Sequence, residues 1–477
     1  MIDGLKPYPK LKDSGVPCLG EVPAAWEVRK LRGILRRVTE RNRPDLPLLS
    51  VVRERGVIRR DTTAEDENHN FIPDDLSNYK VVRTGQFAMN KMKAWQGSYG
   101  VSQYEGIVSP AYFVFDLAEV ESRFFHTAIR SRAYVPSFAQ ASDGVRIGQW
   151  DLAESRMREI AFAIPTLSEQ AAIVRFLDHA DRRIRRYIRA KQKLIKLLEE
   201  QKQAIIHRAV TRGLDPNVRL KPSGVEWLGD VPEHWAIRRI ASFSPKITNG
   251  WVGPTRDILR ADGVPYIQSL HVKRGAIRFA KRYFVDRAWL DARPKIRLRE
   301  GDVVVVQTGD IGQVACIPPE FDGAGCHALI IIRTNASVMT GAYLDLVLRS
   351  RYGFESLKSV QTGALHPHLN CTWVREIAVP VPPIEEQDTI LRSTSDATRR
   401  VDRAIASAES EASLLHEYRT RLIADVVTGK LDVREAAARL PQEPEDLEPL
   451  DEPEALDDAS DDSAGDGLDP EPEEAEA

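Results

Sequence analysis

The chain has 477 residues, 42% of them hydrophobic, and a formal net charge of −3. That length leaves room for two to four domains with true cores, and no apolar run approaches the ~18 residues needed to span a membrane. The charge hides an asymmetry: Pro441–Ala477 holds 17 Asp or Glu and no Lys or Arg, so residues 1–440 carry 67 basic against 53 acidic side chains, about +14.

A body this basic favours a polyanionic partner. The tail, rich in Pro, Glu and Asp with little to bury, is expected to be disordered. It reads either as a nucleic-acid mimic that screens the body or as a plain solubilising segment. The four cysteines (Cys18, Cys316, Cys326, Cys371) form no CxxC pair, and MIDGLKPYPK is no signal peptide. A cytoplasmic protein with free thiols is the simple expectation.

In chain order, residues 1–31 form an opening motif with turn pairs SG and LG, and VPAAWEV presents Trp26. Residues 32–157 form a first variable block. Its short apolar runs LPLLSVV, KVVRTGQFAMN and GIVSPAYFVFDL read as strands, with a helix near Ser122–Arg132. The informative run is Met89–Tyr104, which sets Lys91, Lys93, Trp95, Gln96, Ser98, Tyr99, Ser102 and Gln103 around Gly97 and Gly100. Lys can neutralise phosphate, Gln can read a base edge, and glycine lets backbone come close. An ordinary polar hairpin fits the same stretch equally well.

Leu167 to Asp215 then runs without Pro or Gly until Gly213. Ser168 suits an N-cap, and Gly213 followed by Pro216 suits a stop. The ~44 residues between would make a rod of roughly 66 Å. Ile173, Ala180, Ile184, Ile188, Ile195, Leu198, Ile205 and Ala209 recur at three, four and seven, the spacing of a coiled-coil seam. Such a helix needs a partner. Ile377 to Asp432 supplies one, repeating the pattern at an offset of 217 residues: REIAFAIPTLSEQ (Arg158–Gln170) becomes REIAVPVPPIEEQ (Arg375–Gln387). Its seam is Ile390, Ala397, Val401, Ile405, Ala408, Ala412, Leu415, Leu422 and Val426.

The opening motif also recurs, at an offset of 209. Leu11–Leu31 matches Leu220–Ile240 at 11 of 21 positions and places Trp235 opposite Trp26. Both tryptophans read first as core plugs, second as contacts for a partner. The second variable block, 241–374, contains GDVVVVQTGDIGQVACIP, with Gln307, Thr308 and Gln313 as its polar positions. Gly309–Gly312 is expected to answer Gly97–Gly100. The first block would then hold four extra residues between strand glycine and turn (Gly85 to Gly97 against Gly301 to Gly309). Near its end HPHLN carries His366, His368 and Asn370 where the first block has GVRIGQW. Copies alike in frame but different in polar loops suit two readers of different sequences; neutral drift on one scaffold is the alternative.

No GxxxxGK[ST] loop, HExxH site, [DNS]PP[YF] motif or nuclease carboxylate–Lys cluster is present. Cys316, Cys326, His327, His366, His368 and Cys371 fit no standard zinc spacing and are better read as packed or surface residues. The rival classes are a coiled-coil scaffold, which would not need two basic, polar-looped blocks, and a stand-alone DNA enzyme, which would need a catalytic constellation.

From about residue 5 to 435 the chain resembles the specificity (S) subunit of type I restriction–modification systems. The most specific signs are SGVEWLGDVPEHW (Ser223–Trp235), the helix starts Ile164–Gln170 and Val381–Gln387, AVTRGLDP (Ala209–Pro216) and the frame Lys91–Tyr112. Ser168 in place of the first Glu of EEQ, and Cys18 opposite Trp227, are minor departures.

The resemblance implies an α+β fold with two mixed α/β target recognition domains related by an internal pseudo-two-fold repeat. Two long antiparallel coiled-coil helices separate them and set the gap between two half-sites on double-stranded DNA. The implied boundaries are 1–160 and 216–376 for the recognition domains, 161–215 and 377–435 for the helices, and 436–477 for the tail. The implied DNA contacts are Lys91, Lys93, Trp95, Gln96, Ser98, Tyr99 and Gln103 in the first block, with Gln307, Thr308, Gln313, His366, His368 and Asn370 in the second. Trp26 and Trp235 would serve two modification (methyltransferase) subunits, and restriction (translocase/endonuclease) subunits would join them. The chain itself would be non-catalytic and without cofactor, metal or membrane partner; S-adenosylmethionine, ATP and Mg belong to the partner subunits.

Overall fold

The computed structural model describes residues 5–16, 19–60, 75–144, 150–363 and 367–441. Cys18, His366 and the tail beyond Pro441 lie outside the described residues. The chain divides into two compact units, residues 1–191 with 410–477 and residues 192–409. The first block supplies β1 (Leu35–Val38), the hairpin β2 (Leu49–Val52) and β3 (Gly56–Arg59), then β4 (Phe87–Asn90), β5 (Tyr99–Val101) and β6 (Tyr112–Leu117). Helices α1 (Ser122–Ile129) and α2 (Val135–Gln140) precede the long helix α3 (Leu167–Arg212). The second block follows the same order: β7 (Lys246–Asn249), β8 (Val303–Val306), β9 (Val314–Cys316), β10 (Leu329–Arg333), α4 (Gly341–Arg349), α5 (Arg351–Ser359) and the long helix α6 (Ile384–Val427).

The duplication extends to strand order. The central sheets run β1-β6-β4-β5 and β7-β10-β8-β9, antiparallel throughout. Both are covered on two faces, and the sequence shows why. In β8 the run VVVV is wholly buried: Val303 and Val305 enter the cluster with Trp235 and Tyr343, while Val304 and Val306 enter the one with Cys326 and Leu329. Side chains that alternate across a strand can fill two cores only if every one is apolar. In β4, Phe87 and Met89 point into the main core and Ala88 into the smaller cluster beneath the β2–β3 hairpin.

The long helices pack antiparallel, visible within each unit. In the first, Asp181 pairs with Arg419 and Lys191 with Glu411 (2.6 Å), so positions rise along α3 as they fall along α6. In the second, Lys202 meets Asp402. Ile173, Ala180, Ile184 and Ile188 of the expected seam are buried, while Ile195, Leu198 and Ile205 are partly covered. On α6 one expected seam position is wrong. Ala397 is exposed, and Thr394 and Thr398 are buried between Ile390 and Val401. A methyl-bearing threonine can line a close helix contact, so its polarity hid it from an apolar count. Ser168 is likewise no cap: α3 begins at Leu167, which puts Ser168 in the first turn.

Trp26 and Trp235 are fully buried, and neither indole is available to a partner protein. Each plugs the end of a long helix. A Cβ on Gly213 (φ +72°) would stand 3.3 Å from Trp235, and one on Gly429 (φ +75°) 2.2 Å from Pro23 and 3.2 Å from Trp26. The first unit is therefore closed by the last described part of the chain. Lys6 bridges Asp432, Arg434 lies over the Tyr8 ring (5.1 Å), and Val433 and Ala437 enter the core with Trp26. A short helix, Arg434–Ala438, crosses the boundary expected at 435.

Two buried glutamines, Gln170 and Gln387, occupy matching positions in the first turns of α3 and α6. Gln170 accepts from the Glu121 backbone N–H (2.8 Å) and donates to the Pro165 carbonyl (2.8 Å). Gln387 accepts from the Thr340 N–H (3.0 Å) and donates to the carbonyls of Val338 (2.9 Å) and Pro382 (3.0 Å). Since Glu121 and Thr340 are the N-caps of α1 and α4, each glutamine fastens a long helix to the helix layer of its block. Replacing either with the apolar near-isostere leucine orphans a buried donor and at least one acceptor. At about 1–3 kcal/mol for each unsatisfied group, Gln170→Leu and Gln387→Leu should each destabilise the protein by roughly 2–6 kcal/mol, read as a lower urea midpoint. Unchanged midpoints would show that the amides are not structural fasteners.

Candidate nucleic-acid interface

The loop joining β4 to β5 carries most of the polar residues singled out in the first block, and the loop joining β8 to β9 is its counterpart. Ladder register aligns them. Asn90 N–H donates to Ser98 O and Val306 N–H to Gln313 O, so Gly97 corresponds to Gly312, with φ of +95° and +91°. The expected match of Gly97–Gly100 to Gly309–Gly312 is thus corrected. Gly100 lies inside β5, opposite Ala88. Between those paired residues the loops hold 91–97 and 307–312, a difference of one residue rather than four.

The first loop borders a groove of roughly 1860 Å³. Its other walls are the β2–β3 hairpin, the Ser122–Arg132 face of α1 and the turn after it, and short stretches of α3 and α6 within the same unit. Lys93, Gln96, Ser98 and Gln103 all line it. The remaining three candidates do not. Lys91 pairs with Asp151. Trp95 packs on Trp150, ring centroids 5.2 Å apart. Tyr99 is wholly buried against Phe138, its hydroxyl directed at the Ile129 carbonyl (3.3 Å), and cannot touch a ligand in the groove.

The groove is basic: ten Lys or Arg line it against three Asp or Glu. Several of these cations, including Arg53, Arg55 and Arg59 on the hairpin and Arg132 after α1, were not singled out from the sequence. The hairpin run VVRERGVIRR contained the signal, strand alternation around an Arg-rich turn, but nothing local linked it to a loop some forty residues later. Arg130 makes that link. Its guanidinium donates to the carbonyls of Arg53 and Glu54 (2.8 Å each) and to that of Tyr99. Gly100 allows the hairpin to lie close, since a Cβ there would meet Gly56 Cα at 3.2 Å and His126 at 3.1 Å.

In the second block the structure gathers some of the candidates. Thr308 bridges His368, and Leu369 N–H donates to Gln307 O (3.0 Å), which lays residues 307–308 beside 368–369. Thr308 is exposed. The Gln307 side-chain oxygen is buried without a hydrogen-bond partner among the described residues. Gln313 accepts from the Arg274 N–H (3.1 Å), and Asn370 caps the turn Cys371–Val374 by accepting from Thr372 N–H (2.8 Å). Among the described residues no cluster of three or more His, Cys, Asp or Glu is placed to hold a metal ion, and no helix is long and apolar enough to cross a membrane.

The geometry thus defines a duplicated polar-loop protein whose first block carries a basic groove. Comparison with known proteins gives that class a family. Residues 232–403 match the type I restriction modification DNA specificity domain. The chain is 20% identical over 443 residues to a Methanocaldococcus jannaschii protein assigned as the MjaX type I restriction enzyme specificity subunit, covering 87% of this chain and 96% of that one. It is 21% identical over 295 residues to the Escherichia coli EcoBI specificity subunit, covering 60% of each. A structure solved in work on complex assembly and conformational transition of the type I R-M system shares the fold, with a TM-score of 0.61 at 16% identity over 86% of this chain and 99% of that one. The chain carries a type I specificity domain, and the relatives it matches are specificity subunits, as its sequence motifs imply.

One groove residue has a strongly displaced titration. His126 is mostly buried, and its Nδ1 accepts from Val101 N–H (3.0 Å). Burial, then the neighbouring Arg130 charge, push its pKa from 6.5 down to about 4. Folded His126 stays neutral where the unfolded chain takes up a proton, so stability is full above pH 6.5 and falls as pH drops toward 4. At ~1.4 kcal/mol per unit this amounts to about 3 kcal/mol at most. Melting temperature should decline between pH 7 and 5, and the decline should be shallower in His126→Gln, which retains a hydrogen-bond acceptor but cannot titrate. Parallel profiles would mean that His126 is not the titrating group.

Proposed function

We propose that this chain is the DNA-reading specificity subunit of a type I restriction–modification complex, with each block reading one half of a bipartite site. The supporting observation is the polar β4–β5 loop set into an arginine-lined groove. Cations in the walls suit phosphate, which fixes position without reading sequence, while Gln96 and Gln103 suit base edges, which specify it. The β8–β9 loop, with Gln307, Thr308, Gln313 and the neighbouring His368 and Asn370, takes the corresponding role in the second block. The subunit is non-catalytic and cytoplasmic and holds no cofactor of its own. Two methyltransferase subunits that use S-adenosylmethionine, and restriction subunits that use ATP and Mg, supply the chemistry.

Partner docking moves away from the buried tryptophans. Leu11 and Leu220, at matching places in the two opening hairpins, are each 41% exposed, and Trp227 in the second is 59% exposed. Equivalent apolar positions in both copies suit two equivalent subunits.

Substitutions separate the two kinds of DNA contact. Lys93→Ala and Arg132→Ala should weaken binding to all sequences alike and reduce the salt dependence by about one counterion each. Gln96→Ala and Gln103→Ala should relax specificity by ~1–3 kcal/mol per lost base contact. Electrophoretic shifts on cognate and scrambled duplexes measure both; four variants that bind and discriminate normally would remove this groove from the interface.

The paired helices would act as the ruler between half-sites. One heptad added after Leu198 and another after Leu415 keep the seam in phase and lengthen each helix by ~10 Å. At ~3.4 Å per base pair the methylated site should then gain about three base pairs in its gap with both halves unchanged. Methylation that keeps the old spacing would leave the helices a purely structural role.

A further inference from the structure

The last described residues of the chain border a small cavity next to the basic groove. Arg175 on α3 donates to the carbonyls of Leu440 (2.7 Å) and Pro441 (3.3 Å). Those residues border a smaller cavity with Arg175, His179 and Arg182. Arg123 and Asp178, paired with each other, line both this cavity and the groove, so the two are neighbours that share that ion pair as a wall. All of these residues belong to one unit. Beyond Pro441 come 36 more residues holding 17 Asp or Glu and no Lys or Arg. At ~3.3 Å per residue their extended span is at most about 120 Å, ample to reach from the small cavity into the adjoining groove.

From this we infer that the acidic tail, Gln442–Ala477, is an intramolecular ligand of the first unit's groove and competes there with nucleic acid. The charges are complementary: a polyanion starts in the cavity next to a groove lined by ten cations and three anions. Tethering makes a weak contact effective. A segment that binds its groove at ~0.1 mM, presented at a ~1 mM effective concentration, weakens any competitor about tenfold. Non-cognate DNA, held at ~10⁻⁴–10⁻⁶ M mainly by phosphate contacts, is thereby displaced. A cognate duplex with base contacts in addition stays bound at working concentrations, so the tail raises the effective selectivity of the reader. Competition rests on the groove being the DNA site; occupancy by the tail does not.

Two measurements on the full-length chain test the inference. Zero-length carbodiimide coupling followed by mass spectrometry should join tail carboxylates to Lys93, the groove's lysine. Added duplex should suppress that product. Separately, changing the 17 tail Asp and Glu to Asn and Gln should tighten binding of a non-cognate duplex about tenfold at low salt, with the difference vanishing at high salt. Absence of the Lys93 product together with unchanged duplex affinity would overturn the inference, as would coupling of the tail only to another subunit. A Lys93 product that duplex does not suppress, with Lys93→Ala and Arg132→Ala binding duplex normally, would leave the tail in the groove and reject the groove as the DNA site.

Discussion

A helix of 46 residues with an apolar stripe along it cannot cover that stripe alone. This constraint shapes the molecule. The stripe of α3 is covered by α6, and because the two run antiparallel, the start of one lies against the end of the other within each unit. Each helix then ends on a left-handed glycine capped by a tryptophan from an opening motif, Gly213 by Trp235 and Gly429 by Trp26. Each begins with a glutamine fastened to its own block. The sheets and their loops are held by these fixed ends, so their polar residues are free to differ between copies without disturbing the frame.

The features legible in the sequence were those with a period or a copy. Seam spacing revealed the long helices, and the repeated opening motif revealed two equivalent blocks. Run composition located the strands. The failures have physical causes. The resemblance between GSYG and GDIG hid the fact that Gly100 is a strand residue chosen for close approach to Gly56, whereas Gly97 and Gly312 share a turn conformation. Tyr99 sits among polar neighbours in sequence, but strand alternation turns it inward. Thr394 and Thr398 line a seam that an apolar count assigned to Ala397. The groove arginines were out of reach for another reason: they come from the hairpin, the helix layer and both long helices, and only tertiary structure brings them to one wall.

The two candidate interfaces differ in character. In the first block the β4–β5 loop borders a groove whose cations come from several elements. In the second, Gln307 and Thr308 lie against the His368 segment, and Lys273 and Arg274 flank the loop, Lys273 paired with Asp310 at 2.9 Å. The two blocks thus share a strand order but surround their matching loops with unlike residues.

The closure of the first unit by the chain's far end has a consequence for biosynthesis. Residues 192–409 are contiguous and can pack as soon as they leave the ribosome, whereas residues 1–191 lack Leu422, Val426, Val427 and Val433 until the segment that follows residue 409 has been made. The first block to emerge is therefore finished only after the second unit. A chain broken off even shortly before Val433 would hold all of the second unit but would leave the first core open.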